Sequence, residues 1–110
     1  MTVSFTDDEA RELVSEILQN LPEYSCSMVC SSFDYDAGIY KFIDEEDDGK
    51  KYTLDMDKAV AGFQKLVSGL NDKSIFIGLS IGEVDDAANW DIVSTDALIQ
   101  LSLFGEIIYG

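Results

Sequence analysis

The chain has 110 residues, 46% of them hydrophobic, and a formal net charge of −15 from 22 acidic and 7 basic side chains. That length and apolar content imply one domain, residues 1–110, with a real core, and argue against disorder. The charge disfavours direct binding to nucleic acid or to an anionic membrane surface and favours a basic protein partner.

Solubility alone needs a net charge of roughly 2–8 in a small domain, and the excess destabilises through self-repulsion, so it points to a use. The charge is uneven: residues 1–37 carry −7, residues 38–73 carry −2 and residues 74–110 carry −6. With so few bases, most carboxylates lack an ion-pair partner. Mutual repulsion should then raise native carboxyl pKa values, and stability should rise as pH falls from 7 toward 5.

Thr6 and Glu9 have the spacing of a capping box, and Asp7, Asp8 and Glu9 fall in the first turn, where the helix dipole favours acids. Ala10, Leu13, Val14, Ile17, Leu18 and Leu21 recur at helical spacing. A helix is predicted from Asp7 to Asn20, stopped by Pro22, with Glu9, Glu12 and Glu16 on its outer face. From Glu23 to Phe33 the period changes to two. Tyr24, Cys26, Met28 and Cys30 alternate with Ser25, Ser27, Val29 and Ser31, which predicts a half-buried strand.

Gly38 to Met56 reads as a β-hairpin. Tyr40 and Phe42 share one face, with Ile39, Lys41 and Ile43 on the other, and Tyr52 and Leu54 alternate with Lys51 and Thr53. The turn holds Asp44, Glu45, Glu46, Asp47 and Asp48, and Asp48-Gly49 is a strong turn signal. A calcium loop is the sharper alternative, with Asp44, Glu46, Asp48 and Gly49 at positions one, three, five and six of an EF-hand pattern. That match breaks at position twelve, which is Asp55, at Lys51, and at the strand where a helix should precede the loop.

Asp55 or Asp57 can cap a second helix whose apolar side is Val60, Phe63, Val67 and Leu70, with Gly69 marking its end. Gly62 within it is either a site of close packing against a neighbour or a plain weak point. Ser74 to Gly82 alternates again, Ile75, Ile77, Leu79 and Ile81 against Phe76, Gly78 and Ser80, and predicts a fourth strand interrupted by glycine. An acidic loop with Glu83, Asp85 and Asp86 follows, and its Trp90 is expected to cap the core edge. Asp91 to Tyr109 is apolar nearly all round, so it should be a helix that is central or covered by a partner, a homodimer included. The fold class is α+β: a small antiparallel meander with helices packed on one face, in the order α-β-β-β-α-β-α, the first and last helices packing together.

Histidine is absent, which removes the commonest general base and metal ligand. No nucleophile-elbow, P-loop or dinucleotide motif appears. Arg11, beside Glu12, is a poor anion clamp. Cys26 and Cys30 would sit roughly 13 Å apart on a strand, beyond the ~7 Å reach of a disulfide. The acidic N-terminus is unlike a signal peptide, no apolar run reaches the roughly 20 residues of a membrane span, and a reducing cytoplasm is the expected compartment. No enzyme activity, metal or cofactor is expected, although a hydrolase built on carboxylates and a bound cation is a minor alternative.

In size, acidity and lack of catalytic residues the chain resembles the small phage-encoded inhibitors of bacterial defence, the anti-CRISPR and anti-restriction proteins, several of which act as DNA mimics. The likeness is one of type and rests on no motif. It implies a non-enzymatic inhibitor acting in the host cytoplasm. The expected partner is a nucleic-acid-binding protein or complex. The carboxylates available to meet it are Asp7, Asp8, Glu9, Glu12 and Glu16 on the first helix, Asp44, Glu45, Glu46, Asp47 and Asp48 on the hairpin, and Glu83, Asp85 and Asp86 in the late loop. The competing expectations are an adaptor or dimerising domain whose charge only solubilises it, and a salt-adapted protein, which would unfold near physiological salt.

Overall fold

A computed structural model describes residues 3–19 and 28–109. The first helix, α1, spans Asp7–Leu18 and starts with the predicted capping box: Thr6 Oγ1 accepts from Glu9 N and the Glu9 carboxylate accepts from Thr6 N. Its stripe of Ala10, Leu13, Val14, Ile17 and Leu18 is buried. Pro22, Tyr24 and Cys26, and with them the start of the predicted first strand, lie outside the described residues.

Three strands follow, β1 (Val29–Asp34), β2 (Ile39–Asp44) and β3 (Lys50–Leu54), in an antiparallel meander ordered β1-β2-β3. Tyr40, Phe42 and Leu54 are buried on the core face, as the alternation requires. In β1 a bulge between Cys30 and Ser32 shifts the register, so that Cys30 faces Phe42 and Phe33 faces Tyr40. The extra residue brings Phe33 alongside Tyr40, with rings nearly parallel and centroids 6.4 Å apart. Strict alternation from Cys30 would have put Phe33 on the opposite face. At the hairpin tip a short 3-10 turn (Glu45–Asp47) is followed by Asp48 and Gly49 with φ of 57° and 74°. Both lie in the left-handed region, where Asp is tolerated and Gly is unstrained.

Helix α2 (Met56–Asn71) is capped by Asp55, whose carboxylate accepts from Lys58 N, while Asp57 pairs with Arg11. The helix runs past Gly69. The reason is packing: a Cβ on Gly69 would collide with the Ile75 side chain, and Ile75 N donates back to Gly69 O. Helix α3 (Ile92–Phe104) opens on an Asp91–Ser94 capping box and closes on Gly105 at φ 78°, which corrects the helix expected to reach Tyr109; residues 106–109 continue beyond it as a non-helical tail. The last helix is buried from Ser94 to Leu101 except at Asp96, as its all-round apolar character requires, and α2 lies between the other two helices. Helix α2 packs against both α1 and α3, which corrects the expected direct pairing of the first and last helices.

Residues 74–82 keep the predicted alternation. Ile77 and Leu79 are buried, Phe76, Gly78 and Ser80 are exposed, and Ile75 and Ile81 pack partly against the core. They pair with none of the three strands, and Gly78 turns the chain at φ 75°. Trp90 is buried, its indole N–H donating to Val84 O at 3.1 Å beside the Phe63 ring. Among the described residues no helix is long and apolar enough to cross a membrane.

Candidate protein-interaction surface

The outer face of α1 and the late loop come together. Glu9, Glu12 and Glu16, one turn apart along the helix, line a groove together with Asp85 and the apolar Phe5 and Leu13. The groove encloses about 320 Å³. Its position follows from aromatic packing: Phe5 stacks edge-on against Phe63 of α2 at 5.2 Å, and Trp90 closes on the same ring. The chain before α1 and the chain before α3 are thereby drawn to one edge of α2. Sequence reasoning found the acids but missed Phe5 and Leu13. Leu13 is visible in the helical stripe, but Phe5 precedes the helix and carries no periodic signal.

The thirteen acids do not all have the same freedom. Asp7, Asp8, Glu12, Glu16, Glu45, Glu46, Asp47, Asp48 and Asp85 are exposed. Glu9, Glu83 and Asp86 are exposed too, but each holds a backbone N–H: that of Thr6, Ser80 and Ala88 respectively. Those N–H groups keep the Glu9 and Glu83 carboxyls below the usual carboxylate range. The Ser80-x-x-Glu83 spacing is itself a capping signature and was legible in the sequence.

Asp44 is a correction. It was expected at the solvated tip, but it is buried at 1% exposure. Oδ1 accepts from Glu46 N at 3.1 Å and Oδ2 accepts from the Tyr109 hydroxyl at 2.6 Å. Donating to that carboxylate pushes the Tyr109 phenol up to about 12. Asp44 therefore joins the hairpin to the C-terminal tail and does not offer its charge to a partner. With it turned inward, the EF-hand register loses its first ligand position. Among the described residues no acidic or cysteine side chains converge as a metal-binding group.

The hairpin-tip acids 45–48 do not line the α1 groove. Two of them, Glu46 and Asp47, act through their charge on the Tyr109 phenol. Cys30 is a free thiol, half-buried, with its pKa pushed up by burial. Cys26, from which it was expected to be too distant for a disulfide, lies outside the described residues.

What these features define is an acidic α+β domain with two carboxylate-bearing surfaces. No protein-family model matches the chain, and comparison with curated proteins and with solved structures found none similar to it.

Proposed function

We propose that the chain is a non-enzymatic interaction protein that occupies a basic, nucleic-acid-binding surface of another protein, as a DNA mimic of the kind that inhibits bacterial defence complexes. The observation that carries this reading is the α1 groove, with Glu9, Glu12, Glu16 and Asp85 together with Phe5 and Leu13. The helix and the braced loop fix the backbone that carries these carboxylates, so docking orders side chains but no backbone. An apolar lining beside acids suits Lys or Arg, whose methylene stem lies on Phe5 while the charged head meets a carboxylate. Glu9, Glu12 and Glu16 step by about 5 Å along the helix axis. DNA places one charge per ~3.4 Å on each strand. The mimicry is therefore of a field, supplemented by Asp85 and by the hairpin tip, rather than of each phosphate.

The test replaces Glu12→Gln, Glu16→Gln and Asp85→Asn together, leaving Glu9 to cap the helix. Capture of the purified partner should weaken at least about tenfold, since each desolvated charge contact is worth more than the 0–1 kcal/mol of an exposed pair. The melting temperature should stay level or rise. The wild-type chain should also displace DNA or RNA from the partner. Capture that ignores both the triple variant and salt would replace this reading with an adaptor whose charge is only solubilising.

A further inference from the structure

Phe76 is 85% exposed, an unusual position for a phenylalanine. It is not isolated. Phe76, Val93 and Ile107 wall one cavity of about 190 Å³. On its other side Phe76 and Ile107 wall a groove of about 480 Å³ with Ile75 and Leu101. Ile108, the next residue of the tail, is also exposed.

The patch rests on fixed backbone. Gln100 is buried at 1% exposure and acts like a strand edge toward the tail. Its Oε1 accepts from Ile108 N and Tyr109 N, both at 2.8 Å, and its Nε2 donates to Tyr109 O and to Asp96. Ile75, the neighbour of Phe76, is held on Gly69. A rigid aromatic ridge between two grooves has the form of an interface anchor, since ordering it costs a partner little.

The surrounding charge selects the occupant. Asp72 and Glu106 border the larger groove and Asp96 the cavity. Lys65 also borders the groove, its ammonium donating to Gly105 O. A third groove leads from Phe76 past Lys73 to Glu83 of the acidic loop, so four acids against two lysines border the three recesses, a net negative rim. A second copy would set these acids against themselves, with −15 on each chain, and like-charge juxtaposition opposes docking. We infer that the Phe76–Val93–Ile107 patch receives an apolar segment of the partner protein flanked by Lys or Arg. This inference rests on the reading that the partner is basic.

The experiment titrates the whole chain with two synthetic peptides of equal length and charge, one pairing Lys with Leu in an amphipathic pattern and one with Ser in place of Leu. The Leu peptide should bind at least about tenfold tighter, the scale of burying a large apolar side chain. Phe76→Ser should remove most of that difference. The variant should melt like wild type, because the ring is exposed. Val93→Ser, a second exposed position, should act in the same direction. Equal binding of both peptides, or a Leu preference that survives Phe76→Ser, would overturn the anchor while leaving a basic partner in place. Binding of neither peptide would overturn both readings. Sedimentation showing a dimer that Phe76→Ser dissociates would assign the patch to a second copy instead.

Discussion

Asp44 shows what one residue does to the reading of a charged run. Five consecutive acids look like a solvated tip, but Tyr40 and Phe42 set the parity of β2, and position 44 continues their face. The burial of Asp44 was thus legible in the alternation, and composition obscured it. What the sequence did not carry was its partner: Tyr109 lies 65 residues away, and no local pattern connects them. Asp44→Ala removes the acceptor for both Glu46 N and the Tyr109 hydroxyl. It should destabilise the fold by about 2–3 kcal/mol in chemical denaturation, the range of hydrogen bonds to a charged group. Asp47→Ala, exposed on the same turn, should stay within about 0.5 kcal/mol. Equal effects would mean that Asp44 is not the joint between hairpin and tail. Tyr109→Phe should delete a step near pH 12 from a spectroscopic tyrosine titration, because that phenol's pKa is raised by its bond to Asp44.

Among the elements, those with strong periodicity or caps formed where the sequence placed them, α1, the hairpin and α2, while α3 began at its cap but stopped at Phe104, short of the expected Tyr109, because Gly105 turns left-handed. The segment at 74–82 shows the limit of such evidence. Alternation reports which side chains are buried, and here it is right, but a sheet needs a neighbour with free backbone groups in register. Gly78 in the left-handed region removes the extended geometry such pairing needs. The bulge in β1 was equally silent in the sequence, since Ser31 and Ser32 offer no contrast in polarity. Gly62 is the clearest element-scale constraint. A Cβ there would stand 2.7 Å from the Ser102 backbone of α3, so the glycine sets how closely α2 and α3 approach. In an open helix Gly→Ala stabilises by roughly 0.5–1 kcal/mol. Here steric conflict with backbone decides the sign, and Gly62→Ala should cost about 2–3 kcal/mol. An unchanged or raised melting temperature would show that the two helices can part without loss.

At the scale of the whole molecule the opposing electrostatic effects separate by pH. Exposed acids repel one another, and protonating them relieves that strain. Repulsion therefore predicts a melting temperature that rises from pH 7 toward 5. The caps run the other way. Backbone N–H groups lower the carboxyl pKa of Glu9, Glu83 and Asp91, and the Ser74 hydroxyl and N–H lower that of Asp72. A carboxyl with a lowered folded pKa contributes stability above its unfolded value, near ~4, and that contribution is lost as pH falls through the folded value. Melting temperature should therefore pass a maximum and drop below about pH 4. Tyr109 has the opposite sign: its raised pKa contributes stability in full below about 10, lost as pH climbs toward about 12. Salt distinguishes the two acid-side effects. Raising ionic strength from 0.1 M to 1 M shortens the screening length from about 10 Å to about 3 Å. The rise between pH 7 and 5 should flatten, because it comes from charges acting at a distance. The fall below pH 4 should persist, because a carboxylate touching an N–H is barely screened. A melting temperature that falls steadily from pH 7 at low salt would mean that the exposed acids are paired in solution, and the surface would then lose the unspent charge on which a basic partner depends.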